Sequence, residues 1–219
     1  MGKHIATTFS AGVLALLLIT PPAYSFRKDR SFRESYDQPA DQQMDRVRRV
    51  MLPLLRVTNH RLPLDDIRIS IMDNREINAA SAGNGQYLVT RGLLSQANDE
   101  ELRGVLAHEI AHEDLGHPAR AQLVGTGVGL GVALLEQFFP ASSALAPLAG
   151  SLITNNYTRP MELEADRHAV TLLERAGYSK QTMMDTLSWL AQQNGDTGGG
   201  FLSSHPATSE RLQALRALR

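Results

Sequence analysis

His108-Glu109-Ile110-Ala111-His112 is the stretch from which the rest of the chain can be read. Residues four apart on a helix share a face one turn apart, so these two imidazoles can point at a single ion. Glu109 stands beside the first of them, where it can take a proton from a water that the ion activates. This reading requires a helix, and the flanking residues specify one. Asn98 suits the N-cap, and Glu101 follows three residues later as in a capping box. Asp99, Glu100 and Glu101 suit the positive end of the helix dipole. Leu102, Val105, Leu106 and Ile110 recur at roughly helical spacing, and His117-Pro118 predicts the stop. If both histidines were ordinary surface residues, Glu109 would have no use on a helix whose neighbours read as buried.

A catalytic zinc site takes three protein ligands and keeps one open position. A third histidine six residues after the second, with glycine three before it, would need Gly at 115 and His at 118. The chain has Leu115 and Pro118 there, and His117 comes one position early. The better source is Met161-Glu162-Leu163-Glu164-Ala165-Asp166. Pro160 suits the first turn of a helix and Gly177 its end, with Leu163, Val170, Leu172 and Leu173 as apolar material. Glu162 and Asp166 share a face, so Glu162 can complete the metal site while Asp166 orients a ligand histidine through its far nitrogen. Glu164 lies about 200° round the helix from Glu162. The competing reading is a solvated acidic first turn.

Around these two helices the pattern predicts an α+β chain, predominantly helical, with a small antiparallel sheet ahead of the active-site helix. Met44, Val47, Met51, Leu54 and Leu55 form a helical stripe that Pro53 kinks or shortens. Ile67, Ile69 and Ile71 alternate as in a strand. Asn84-Gly85 predicts a turn between strands at 77–80 and 86–90, either of which could be an edge that pairs with an extended peptide. Ser179 caps a helix containing Trp189, residues 195–200 form a glycine-rich loop, and Thr208 opens a last helix with Leu212, Leu215 and Leu218. Residues 121–158 carry a single charge, Glu136, and many small residues. They fit a buried helical pair, or a membrane-associating hairpin whose arms are short for a span.

At the N-terminus, Lys3 and His4 precede an apolar run from Ala11 to Ile19, then Thr20-Pro21-Pro22 and Ala23-Tyr24-Ser25. This is the layout of a secretory signal peptide over 1–25, cleaved after Ser25, with an uncleaved anchor as the lesser alternative. Residues 26–40 read as a mobile polar arm and 41–219 as one domain. There is no cysteine, hence no disulfide and no thiolate metal site. Removing 1–25 leaves 21 basic residues against 23 acidic ones, which offers no footprint for nucleic acid. No repeat of 20–50 residues is present.

Several stretches, taken in order, resemble the gluzincin metalloendopeptidases grouped with HtpX, the CAAX-processing proteases and the periplasmic BepA/LoiP-type proteases. Ile77-Asn78-Ala79-Ala80-Ser81-Ala82 resembles their Asn-Ala-Phe-Ala stretch, with Ala80 in place of the aromatic. Gly85 to Leu94 resembles the strand and turn that follow. His108 to His112 with His117, then Tyr157-Thr158-Arg159 with Glu162 and Ala165-Asp166, resemble the two ligand helices. Ser204-His205-Pro206 with Arg211 resembles their late segment. The resemblance spans roughly residues 40–219 and covers the catalytic part, without the helical-repeat domain that some relatives carry.

That resemblance implies a zincin-type fold and one Zn²⁺ per chain on His108, His112 and Glu162, with Glu109 as general base. It gives His205 a place as an extra ligand, a transition-state donor or a gate, and makes Arg159 and Tyr157 oxyanion stabilisers or braces. His117 reads as structural beside an acidic partner, and His60 and His168 as surface or structural residues. The implied activity is endoproteolysis of misfolded or unfolded proteins in the bacterial periplasm. Peripheral membrane or outer-membrane assembly contact goes with that setting. A metal-binding chaperone or adaptor, or a latent protease gated by His205, are the alternatives.

Overall fold

The computed structural model describes residues 36–124, 157–193, 200–206 and 209–218. The signal peptide expected over 1–25, the arm over 26–35, the stretch 125–156, most of the glycine loop and Thr208 lie outside the described residues. The arm was expected to reach residue 40, but the chain is tied down from Tyr36. The Tyr36 hydroxyl donates to Asp73, and its carbonyl accepts from Gln43 Nε2 and Arg91 Nη1.

Helix α1 (Ala40–Leu55) buries Val47, Val50, Met51 and Leu54, and Pro53 falls in its last turn. Three strands follow: β1 (Arg68–Met72), β2 (Ala79–Gly83) and β3 (Gln86–Thr90). Asn84 (φ 53°) and Gly85 (φ 74°) both take the left-handed conformation that a two-residue hairpin requires, so β2 and β3 pair antiparallel as expected. The sheet as a whole is mixed, not antiparallel. Strand β1 lies on the far side of β3 and runs parallel to it, giving the order β1-β3-β2. Residues 73–78 carry the chain past β3 before the hairpin starts, so β3 returns between its two predecessors. It is therefore internal and cannot be the peptide-pairing edge, whereas β2 is an edge strand. Strand β2 also starts two residues later than the sequence suggests. Its Ala-Ala-Ser-Ala-Gly composition has little strand propensity, and a register shift between Ser81 and Gly83 lengthens it.

Helices α2 (Arg91–Gln96) and α3 (Asp99–Asp114) come next. The predicted capping box on α3 is complete: Asn98 Oδ1 accepts the Glu100 and Glu101 amides, and Glu101 returns a bond to the Asn98 amide. The helix stops at Gly116, whose φ of 68° ends it, and Pro118 instead lies in the first turn of α4 (His117–Val124). Helix α5 (Arg159–Arg175) ends as Gly177 predicts. Tyr178 N–H reaches Leu173 O and Gly177 N–H reaches Glu174 O, a Schellman closure. Helices α6 (Gln181–Gln193), α7 (Phe201–Ser204) and α8 (Ser209–Arg216) complete the described chain. Ser179 Oγ accepts the Gln181 amide at the start of α6.

Helix α3 is the centre of the packing and touches α1, β2, α5 and α6. It is buried nearly all round from Leu102 to His112, which explains its weak amphipathic stripe. The α3–α6 approach depends on Gly104, where an added Cβ would stand 2.1 Å from Thr186 Oγ1. Packed on every side, α3 holds its two histidines at fixed positions facing α5. Among the described residues no helix is long and apolar enough to cross a membrane.

Candidate metal centre

Helix α3 contributes His108, Glu109 and His112, α5 contributes Glu162 and Asp166, and the turn after α7 contributes His205. All six are 0–2% exposed. His108, His112, Glu162 and His205 each bring one ligand atom to a common centre, the four atoms lying within 4.8 Å of one another. His108 Nε2 is 3.0 Å from His112 Nε2 and 3.3 Å from His205 Nδ1. Glu162 Oε1 is 3.3 Å from His112 Nε2 and 3.0 Å from His205 Nδ1. Tetrahedral arms of about 2.05 Å, as zinc takes with nitrogen and oxygen, have edges of roughly 3.3 Å. Four of the six separations among these atoms, at 3.0–3.3 Å, are near that edge.

Charge makes a second test of fit. Glu109, Glu162 and Asp166 bring three buried carboxylates, while Arg211, 1% exposed, is the one buried arginine or lysine among the described residues. Buried charges are costly unless balanced, and a dication would bring this set to neutrality. The local field agrees. Burial pulls the His108 pKa down, yet Asp166 and Glu162 together push it up to about 9. Glu162 is held far below the usual carboxylate range, against burial, by His205, His108 and His112. Burial, with His108 beside it, pushes the His112 pKa well down, so the two imidazoles of α3 respond oppositely.

The remaining ring nitrogens follow from this arrangement. His108 Nδ1 lies 3.1 Å from Asp166 Oδ1, the orienting contact expected of Asp166. With His112 Nε2 turned to the centre, its Nδ1 faces His117 Nδ1 at 2.9 Å, and His117 Nε2 faces Glu164 Oε2 at 3.3 Å. His117 thus has the acidic partner the sequence suggests. Glu164, half exposed, sits on the other side of α5 from the centre, holding His117. Glu109 is also buried, which raises its pKa; Oε2 accepts the Ser81 amide at 2.9 Å and Oε1 faces His205 Nε2 at 3.5 Å.

Tyr157 stacks on His112 with ring centroids 3.8 Å apart. Arg159 lies outside the cluster, 65% exposed and paired with Glu210 at 2.9 Å. His60 and His168 are structural. His168 Nε2 lies 2.6 Å from Asp114 Oδ2, and the same carboxylate accepts the Asn59 and His60 amides. Ser81 and Phe201 were given no part from sequence, and Arg211 was named only within the late segment, without a role. Phe201 stacks on His205 at 4.5 Å, and Arg211 pairs with Asp166 through two nitrogens. Only the position of Arg211 six residues after His205 hinted at its part.

The sequence profile described as Peptidase family M48 matches residues 41–219. The chain is 32% identical over 149 residues to the metalloprotease YcaL of Escherichia coli (strain K12), covering 64% of this chain and 58% of that protein. It is 28% identical over 152 residues to the metalloprotease LoiP of the same organism, covering 65% and 58%. Against the beta-barrel assembly-enhancing protease of Yersinia pestis it is 33% identical over 162 residues, covering 67% of this chain and 33% of that protein. The chain therefore spans less than two thirds of the length of each.

Proposed function

The chain belongs to peptidase family M48, and we propose that it is a zinc-dependent endopeptidase acting on unfolded or misfolded proteins of the bacterial cell envelope. The observation that carries this reading is the buried Glu109 beside a buried set of four convergent donors. In this reading His108, His112 and Glu162 hold one zinc ion per chain. Bound there, zinc supplies a Lewis acid that makes water acidic near neutral pH and polarises a carbonyl. Glu109 Oε1 takes the proton of the attacking water and returns it to the leaving amine, while Oε2 stays tied to the Ser81 amide. Asp166 and His117 hold the ring planes of His108 and His112.

Strand β2 is the edge beside this centre. Asn78 faces β3, since its carbonyl accepts the Thr90 amide, so Ile77, Ala79 and Ser81 turn their backbone groups to the outer edge, where Phe201 already takes the Ile77 carbonyl and Glu109 the Ser81 amide. An extended peptide pairing there once the Phe201 amide has left Ile77 would be held by main-chain bonds without a sequence requirement, which suits unfolded clients. The envelope setting draws on the apolar run from Ala11 to Ile19 and on the relative named for β-barrel assembly. A chaperone or adaptor role would leave the buried Glu109 unused.

The position of His205 favours a second reading of the resting state. Its Nδ1 is the fourth donor at the centre, and four protein ligands are the arrangement of closed structural sites. With His205 seated the protease is latent; with His205 withdrawn three donors and an open position remain. The test is incubation of the purified protein with unfolded casein, with and without a chelator, alongside its zinc content. Chelator-sensitive cleavage with one zinc per chain is the expected result. Zinc without cleavage, even in a His205→Ala variant, would return the reading to a binding protein.

A further inference from the structure

Arg211 touches both buried α5 carboxylates and the His205–Pro206 turn. Its Nε and Nη2 donate to the two oxygens of Asp166 at 2.7 and 2.6 Å. Its Nη1 stands 2.7 Å from Glu162 Oε2 and also donates to the carbonyls of His205 and Pro206, at 3.2 and 3.1 Å. Nη1 donates to the two carbonyls of the turn, and its contact with Glu162 is an ion pair without a hydrogen bond. The contacts divide by strength. All are charge-assisted by the guanidinium, but the two to Asp166 are short and join opposite charges, whereas those to the turn are longer and end on neutral carbonyls. The turn's other end is pinned separately, by the Phe201 amide on Ile77 O at 2.8 Å.

We infer that Arg211 is a positioning residue that fixes the two α5 carboxylates permanently and latches the His205–Pro206 turn releasably, so that the turn leaves without disturbing Glu162 or Asp166. This rests on the reading of His108, His112 and Glu162 as zinc ligands. The strong side of the guanidinium anchors it to α5, and the weak side sets how often His205 leaves the centre. Lysine would keep the charge and still pair with Asp166 and Glu162, but as a single point donor it would not also hold the two carbonyls.

Hydrogen exchange on the zinc-loaded chain tests this. In the unmodified protein under rising sub-denaturing urea, the amides of Ser203 and His205 should open before those of α5. In Arg211→Lys they should exchange about tenfold faster or more, with zinc content and α5 protection unchanged. Equal loosening of α5 and the turn, or no change in the turn, would overturn the latch. Should Arg211→Lys fail to fold, the unmodified protein decides alone: exchange of the turn and α5 in one cooperative step refutes the proposal. Absence of bound zinc defeats the underlying metal reading instead, and the latch with it. One zinc per chain with turn and helix moving together defeats only the latch.

Discussion

The Ser81 amide holds Oε2 of Glu109 at 2.9 Å, and this contact turns the other oxygen, Oε1, toward the imidazole cluster. One backbone donor on an edge strand thereby fixes the carboxylate in a single orientation. Ser81 is itself anchored, because its hydroxyl donates to Glu113 Oε2 at 2.5 Å, one turn further along α3. Glu113 also accepts the Gly85 amide at 3.0 Å, so it clamps the β2–β3 hairpin to the helix carrying Glu109.

Glu109→Gln should therefore keep fold and metal and lose cleavage. The amide oxygen can still accept from Ser81, but the group can no longer accept a proton. A general base contributes about 10²- to 10⁴-fold, so turnover of unfolded casein should drop by at least about 100-fold at matched zinc content. Equal turnover would remove Glu109 from the mechanism.

Asp114 governs a different property. Burial opposes its ionisation, but the His168 imidazole and the His60 and Asn59 amides bring its pKa down to about 2. An unfolded aspartate titrates near 3.9. The folded pKa lies below the unfolded one, so the carboxylate's contribution is complete above about pH 4 and disappears as the pH falls through about 2. Asp114→Asn should cost about 1–3 kcal/mol at pH 7, and the deficit should narrow at pH 3. Urea midpoints at the two pH values measure it. A deficit independent of pH would mean that the charge of Asp114 is not what matters.

The α3 and α5 ligand helices were legible because their signals are local: a capping pair, a Pro–Gly bracket and residues four apart. The hairpin was legible from Asn84-Gly85 for the same reason. The parallel partnership of β1 and β3 was not, because nothing in Ile67–Ile71 says on which side of β3 it docks. Ser81 and Arg211 were not legible as participants either. Ser81 acts through its amide, which every residue but proline has, and Arg211 becomes a hub only when α8 folds back on α5. Arg159 sits close in sequence to Glu162, yet its helix position turns it to the surface and Glu210.

Removing the metal should cost stability and consume protons. Without a dication the buried carboxylates outnumber Arg211, and His108, with its pKa near 9, is the group that charges. Zinc binding near pH 7.5 should accordingly release protons, read by calorimetry in buffers of different ionisation heat. Free zinc at 100 times its Kd should add about 2.7 kcal/mol, or roughly 5–10 °C in Tm for a chain of this size. Binding without proton release would show that His108 is neutral in the metal-free protein.

The assignment of the third ligand comes down to the rotation of one helix. Glu162 and Glu164 are two residues apart on α5, and only one can face His108 and His112. Glu162 is 2% exposed, with Oε1 3.3 Å from His112 Nε2 and Oε2 3.4 Å from His108 Nε2. Glu164 is 49% exposed and reaches the centre only through His117. Asp166 lies one turn from Glu162 on the same face and contacts His108, so rotating α5 to bring in Glu164 would break that contact as well. Glu162→Gln should weaken zinc retention sharply and abolish cleavage, because a neutral amide is a poor ligand and the buried charge balance changes by one. Glu164→Gln should retain zinc and most activity, since an amide oxygen can still accept from His117 Nε2. The measurement is zinc per chain after dialysis, paired with casein cleavage. Zinc lost from Glu164→Gln and kept by Glu162→Gln would require α5 to turn by roughly 200°, and with it the whole reading of the centre.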